Sequence, residues 1–157
     1  VEEVGEGAGE GYTLNVPLPG GLNENDYAAI YNDLVVPVGR SFQPQLILVS
    51  AGFDIFKGDP LGSMSVGTGG FAYMARTLIN LAEEVCDGRI LMTLEGGYNL
   101  KGQRDGVIAV LTELQGLDGG QENTFLSEEE YGYLSKKCLT DDGIRKAHQV
   151  AKKYWKM

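Results

Sequence analysis

Two stretches of the chain place side chains capable of chemistry directly behind apolar, β-branched runs. Asp54 lies in Ser50-Ala51-Gly52-Phe53-Asp54-Ile55, just after Gln45-Leu46-Ile47-Leu48-Val49. Tyr98 lies in Glu95-Gly96-Gly97-Tyr98-Asn99, just after Arg89-Ile90-Leu91-Met92-Thr93-Leu94. A carboxylate in such a position can serve as a metal ligand, as a general base, or as a loop residue that caps backbone amides. A phenol there is either a packed aromatic or a hydrogen-bond donor aimed at an oxyanion, and Gly96 and Gly97 would let a substrate pass close to the backbone. If the two apolar runs are neighbouring parallel strands, Asp54 and Tyr98 face one crevice, because ligands collect beyond the carboxyl ends of such strands.

Other residues carry weaker signals. The run Gly5-Glu6-Gly7-Ala8-Gly9-Glu10-Gly11 lacks the G-x-G-x-x-G spacing of a dinucleotide loop, precedes a predicted strand instead of opening a helix, and contains glutamates that would repel phosphate, so it reads as a flexible connection. His148, the only histidine, falls on a terminal helical stretch near Lys152 and reads as a surface or partly buried residue. No G-x-S-x-G elbow is present, and neither Ser50 nor Ser65 has that context. Cys86 closes an amphipathic stretch and is expected in the core.

The elements that must position Asp54 and Tyr98 follow from periodicity. Strands are predicted over Tyr12–Val16, Gln45–Ser50 and Arg89–Leu94; the latter two show little alternation, as buried parallel strands do. Helices are predicted over Asp26–Val38, ended or kinked by Pro37, over Thr68–Cys86 with Phe71, Met74, Leu78, Leu81 and Val85 on one face, and over about Lys101–Leu117 with Val107, Val110, Leu111 and Leu114 inward. The order β-α-β-α-β-α calls for an α/β fold with a parallel sheet and helical crossovers. After Gly119-Gly120 only helices are predicted. One starts at Ser127, where Glu130 completes a capping-box spacing, and another runs from Asp142 to Trp155. The expected organisation is a single partial domain, with residues 1–118 forming the β-α part and residues 119–157 a helical tail.

Composition limits the partners. The chain has 157 residues, 13 Lys plus Arg against 22 Asp plus Glu, and a formal charge of -9, which opposes direct nucleic-acid binding or attachment to an acidic membrane. No apolar run has the length of a membrane span. Cys86 and Cys138 form neither a C-x-x-C pair nor a disulfide framework, so the expected setting is reducing and cytoplasmic.

Taken together, "LVSAGFDIFKGDPLG" and "LMTLEGGYNL" resemble the carboxyl-terminal half of the zinc-dependent histone deacetylase family, in the class II and bacterial branch that includes acetylpolyamine amidohydrolases. "GEGYTLNVPLPGG" and "AHQVAKKYW" extend the resemblance to most of the chain. It implies a partial arginase/deacetylase-type fold and hydrolysis of an acetylated lysine or polyamine to acetate and a free amine. Asp54 would be a zinc ligand and Tyr98 the donor to the tetrahedral oxyanion. Gly96 and Gly97 would form the wall of the acyl-lysine tunnel, and Pro60 and Leu61 would stand at its rim. The family's other zinc ligands and its tandem histidines belong to an amino-terminal half, and this sequence is expected to begin after them. The chain alone is then expected to bind zinc weakly, to lack activity, and to need a complementary amino-terminal half or self-association. The alternative is a truncated, non-catalytic, oligomeric binding or scaffold protein.

Overall fold

A computed structural model describes residues 1–116, 125–134 and 142–157. Its centre is α3 (Thr68–Cys86), whose boundaries agree with the sequence pattern. Most of α3 is buried, well beyond a single apolar stripe, including Ala72, Tyr73 and Ala82 at 0% exposure. A helix buried nearly all round must be wrapped by other elements. In the chain β1 (Ile47–Ala51) precedes α3 and β2 (Ile90–Leu94) follows it, and the two strands are joined through α3 as a parallel pair in the register Ile47 to Ile90 through Ala51 to Leu94. The α/β architecture with a helical crossover is therefore present, in a sheet that has two strands among the described residues.

The third predicted strand, Tyr12–Val16, is not a strand. Leu14 and Val16 instead pack beside Leu34, Ala147 and Ala151, while Tyr12 forms an edge-to-face cluster with Phe42 and Trp155 at ring separations of 5.5 to 6.0 Å. Their alternation reflects contact with helices, without a neighbouring strand to supply backbone hydrogen bonds. The segment is tied to the end of the chain where the Trp155 indole N–H donates to the Gly11 carbonyl at 3.0 Å.

Pro37 does not end the predicted first helix. α1 (Glu24–Ile30) passes through a π turn (Tyr31–Val35) directly into α2 (Val36–Phe42). Within the π turn the Val36 N–H reaches back to the Tyr31 carbonyl, one residue farther than in an α-helix. The wider turn opens the hydrogen-bond ladder where Pro37 has no N–H to give and where its ring would crowd the Asp33 carbonyl.

α4 (Leu100–Gln115) also departs from expectation: Leu111 is 52% exposed, and the buried stripe is Gly102, Gly106, Ala109 and Glu113. Small residues face inward because Phe53 and Phe56, from the loop after β1, press against this helix. A Cβ on Gly106 would lie 2.6 Å from the Phe53 ring, and one on Gly102 would overlap the Phe56 ring. Glu113 is buried because Arg76 of α3 pairs with it through two N–H groups, at 2.8 and 3.2 Å. The same guanidinium donates to the Leu126 carbonyl at 2.6 Å, and Glu113 accepts from the Phe125 and Leu126 N–H groups. This network pins α5 (Glu128–Leu134), whose start carries the expected capping box, with the Glu130 N–H donating to Ser127 Oγ and the Ser127 N–H donating to Glu130 Oε2. α6 (Asp142–Ala151) buries Ile144, Ala147 and Ala151. Cys86 is buried as expected; Cys138 and Gly119-Gly120 lie outside the described residues.

One face of the sheet is bare. Leu48 and Leu91, register partners, are 68% and 58% exposed, while Ile47, Val49 and Met92 face α3 and are partly buried. Among the described residues no helix is long and apolar enough to cross a membrane.

Breaking a buried ion pair strands a charge, which costs about 3–5 kcal/mol. Arg76→Ala is therefore expected to lose about that much stability in equilibrium urea unfolding. The double variant Arg76→Met/Glu113→Leu, which removes both charges, is expected to recover much of the loss.

Candidate functional site

The loop after β1, residues 52–67, is long but closed on itself. A parallel bridge joins Phe56 to Val66, with the Lys57 N–H donating to the Val66 carbonyl at 2.9 Å and the Val66 N–H to the Ile55 carbonyl at 3.2 Å. Phe53 and Phe56 anchor the loop in the core with Phe71 and Met74. Asp54, between these two anchors, is half-buried at the carboxyl end of β1.

The loop after β2 reaches the same place. The Phe53 N–H donates to the Gly96 carbonyl at 2.9 Å, extending the strand pairing past the end of the sheet. A Cβ on Gly96 would lie 2.7 Å from Asp54 Oδ2, so the absence of a side chain is what lets the carboxylate sit against this backbone. Gly97 has φ +130, and a Cβ there would meet the Phe53 Cβ at 2.8 Å. Tyr98 follows and is 55% exposed.

The residue that joins the loops is Asp59, which the sequence reading passed over. Its side chain is buried to 7% exposure. Asp59 Oδ1 accepts from the N–H groups of Leu61 and Gly62, both at 2.9 Å, and Oδ2 accepts from those of Tyr98 at 2.7 Å and Asn99 at 3.0 Å. Burial pushes its carboxyl up, but the four backbone donors outweigh burial and hold it at about 2. The signal available in the sequence was Asp59-Pro60-Leu61-Gly62, a turn in which an aspartate bonds amides two and three residues on. Nothing local announced the second pair of bonds. Asn99 reinforces the junction: its Nδ2 donates to the Gly58 carbonyl at 2.9 Å, and its Oδ1 accepts from the Gly102 N–H, capping α4.

The six residues singled out from sequence thus fall on two joined loops. Asp54 and Gly96 touch, Gly97 packs on Phe53, Tyr98 is fastened beside them, and Pro60 and Leu61 are exposed on the turn that Asp59 organises, Leu61 at 73%. His148 is elsewhere, on α6, whose buried face packs with Leu34. Tyr27 of α1 is a neighbour that periodicity could assign only to the core. Burial, and then the negative charge of Asp54, push its phenol up, and burial pushes that of Tyr31 up to about 12. Both tyrosines line an apolar cavity of about 140 Å³ with Phe53, Phe71, Met74 and Met92.

A tightly held catalytic zinc takes three protein ligands. Among the described residues there is no group of three or more His, Cys, Asp or Glu side chains that could hold a metal ion. Asp54 is one carboxylate set against the backbone of Gly96, so these residues do not by themselves fit zinc.

Comparison with known proteins gives a consistent result. The model of the histone deacetylase domain matches residues 1–114. A probable deacetylase of Archaeoglobus fulgidus is 34% identical over 99% of this chain and 45% of its own length. Histone deacetylase 14, chloroplastic, of Arabidopsis thaliana is 40% identical over 75% of this chain and 28% of its own length. Among solved structures, the HDA15 HD domain superposes with a TM-score of 0.76 at 31% identity, covering 98% of this chain and 39% of that one. The histone deacetylase Clr3 does so with a TM-score of 0.77 at 29% identity, covering 99% and 24%. The chain spans less than half the length of each of these relatives.

The Asp59 geometry predicts an acid-sensitive component of stability. Because the folded chain holds this carboxyl below its unfolded value of 3.8, the unfolded chain takes up the proton first as the pH falls. The contribution is present above 3.8 and is lost as the pH falls through about 2. The stability difference between wild type and Asp59→Asn, from urea unfolding at a series of pH values, is expected to narrow across that window. A difference that does not vary with pH there would exclude the arrangement.

Proposed function

This chain belongs to the histone deacetylase family, and we propose that it carries half of a deacetylase site acting on an acetylated lysine or an acetylated polyamine. The observation that supports this reading is that the loops carrying Asp54 and Gly96-Gly97-Tyr98 are bonded to each other, with Gly96 against the Asp54 carboxylate and the Tyr98 N–H on Asp59 of the same loop as Asp54. Family membership supplies the reaction class: water adds to the acetyl carbonyl, the C–N bond breaks, and acetate and the free amine leave.

The chain's own contribution to that chemistry is Tyr98. Its phenol O–H donates to the carbonyl oxygen as negative charge develops there, an interaction stronger in the transition state than in the substrate. Gly96 and Gly97 let the acyl group pass against backbone, and Pro60 and Leu61 form the rim met by the rest of the substrate. Asp54 would be one ligand of the zinc on which the family generally depends, and the described residues supply no others beside it.

The bare sheet face supports a partner. Leu48 and Leu91 are 68% and 58% exposed, and each of the two strands has an unpaired edge among the described residues. Such a surface calls for cover. A complementary amino-terminal half would cover it and bring the missing ligands, whereas self-association would cover it and leave the chain a non-catalytic scaffold.

The 157-residue chain alone is expected to show neither tight, Asp54-dependent zinc binding in calorimetry nor turnover of acetyl-lysine. In a deacetylase assembled from this chain and the missing ligands, Tyr98→Phe is expected to lower kcat by roughly 10²–10³-fold, the range for deletion of one oxyanion donor. Asp54→Ala is expected to abolish zinc retention. An assembled enzyme in which Tyr98→Phe keeps its full rate would sink the assignment. Sedimentation velocity on the isolated chain is expected to show association that rises with concentration, and a monomer at all concentrations would count against the need for cover.

A further inference from the structure

The four hydrogen bonds to Asp59 have an arrangement that a simple turn does not require. The Leu61 N–H and the Gly62 N–H belong to the two peptide planes on either side of the Leu61 Cα, and both bond Oδ1. The Tyr98 N–H and the Asn99 N–H belong to the two peptide planes on either side of the Tyr98 Cα, and both bond Oδ2. Fixing both flanking planes fixes φ and ψ of the residue between them, so each oxygen sets one backbone conformation. The two oxygens are held together in one rigid carboxylate.

We propose that Asp59 is the positioning residue of the site, setting from one carboxylate the backbone at both Tyr98 and Leu61 and hence the placement of the oxyanion donor relative to the channel rim. The importance of that placement for catalysis rests on the reading of Tyr98 given above. The chemistry requires an anion in this role. A carboxylate accepts at both oxygens, and bonds from N–H groups to an ionised acceptor are about twice as strong as neutral ones. An asparagine of the same size would accept at one oxygen and present an NH₂ group to the other pair of donors. The side chain is nearly excluded from water, at 7% exposure, so solvent would not readily replace the lost bonds.

The rest of the junction leaves this task to Asp59. The Asn99 side chain is engaged with Gly58 and Gly102, and neither contact touches the plane before Tyr98. Gly97, at φ +130, turns the chain into the clamp. The bridge between Phe56 and Val66 fixes the base of the loop, not its tip at Leu61.

The test is nuclear magnetic resonance on the 157-residue chain. In the wild type, scalar couplings across hydrogen bonds are expected between the Asp59 carboxyl carbon and the amide nitrogens of Leu61, Gly62, Tyr98 and Asn99. In Asp59→Asn, the ¹³Cα and ¹³Cβ shifts of both Leu61 and Tyr98 are expected to move toward disordered values. Amide exchange at the four donors should rise roughly tenfold or more, while Leu78 and Leu81 in α3 stay protected. A carboxylate that only adds stability would speed exchange everywhere and leave the Tyr98 shifts of the folded population in place, which would overturn the proposal. So would couplings confined to Leu61 and Gly62, an observation made on the wild type and independent of whether the variant folds. Neither readout uses turnover, so an assembled enzyme insensitive to Tyr98→Phe, in a chain with all four couplings, would refute the proposed function while leaving the clamp intact.

Discussion

The carboxylate of Asp59 is the interaction on which the site depends, because it is the point where two loops that leave separate strands become one object. β1 and β2 run side by side, but their pairing ends at Ala51 and Leu94, and beyond it each chain would be free to diverge. Three contacts prevent this: the Phe53 N–H to the Gly96 carbonyl near the sheet, the Asp59 cluster farther out, and the Asn99 side chain on the Gly58 carbonyl beside that cluster. The first sets the separation of the loops at Asp54, and the other two set it beside Tyr98. A buried anion met by four N–H groups holds its geometry more firmly than loop packing would, since each bond is charge-assisted and alternatives in water are closed off.

The same economy of space appears beneath the site. Phe53 and Phe56 flank Asp54 and anchor it by inserting against α4, which accepts them because it carries Gly102 and Gly106 at the contact. Glycine inside a helix costs about 1 kcal/mol of propensity, here outweighed by burial of two aromatic rings. Farther along the same helix face, Glu113 replaces apolar packing with the Arg76 pair and the amides at Phe125 and Leu126. α4 is therefore read three times along one stripe: by the site loop, by α3, and by the segment leading into α5.

Under the proposed function, a half site with one bare sheet face is coherent as part of a larger assembly. The side of the sheet toward α3 is closed by apolar packing, whereas the opposite side presents leucines in register. Among the described residues, Asp54 likewise stands without the companions that would make up the three ligands zinc chemistry takes. Both incomplete features lie on the sheet and its carboxyl end, so a single complementary body could satisfy them together.

What the sequence determined by itself was whatever depends on short-range pattern. Thr68–Cys86 was legible from its apolar steps of three and four, and β1 and β2 from their β-branched runs. The helix at α5 was legible from Ser127 and Glu130, and the family from two loop motifs. Misread were features whose cause lies elsewhere in the chain. Tyr12–Val16 alternates like a strand but has only helices to pack on; Pro37 reads as a stop or a kink, and a π turn carries the helix past it. Leu111 looks like core, yet Gly102 and Gly106 take the inner face because Phe53 and Phe56 need the room. Asp59 is the clearest case. Its bonds to Leu61 and Gly62 are a local turn, but its bonds to Tyr98 and Asn99 span 39 and 40 residues. Periodicity reports which face of one element avoids water, and it carries no information about which distant amides will converge on a carboxylate. That pairing was decided only when α3 brought β2 alongside β1.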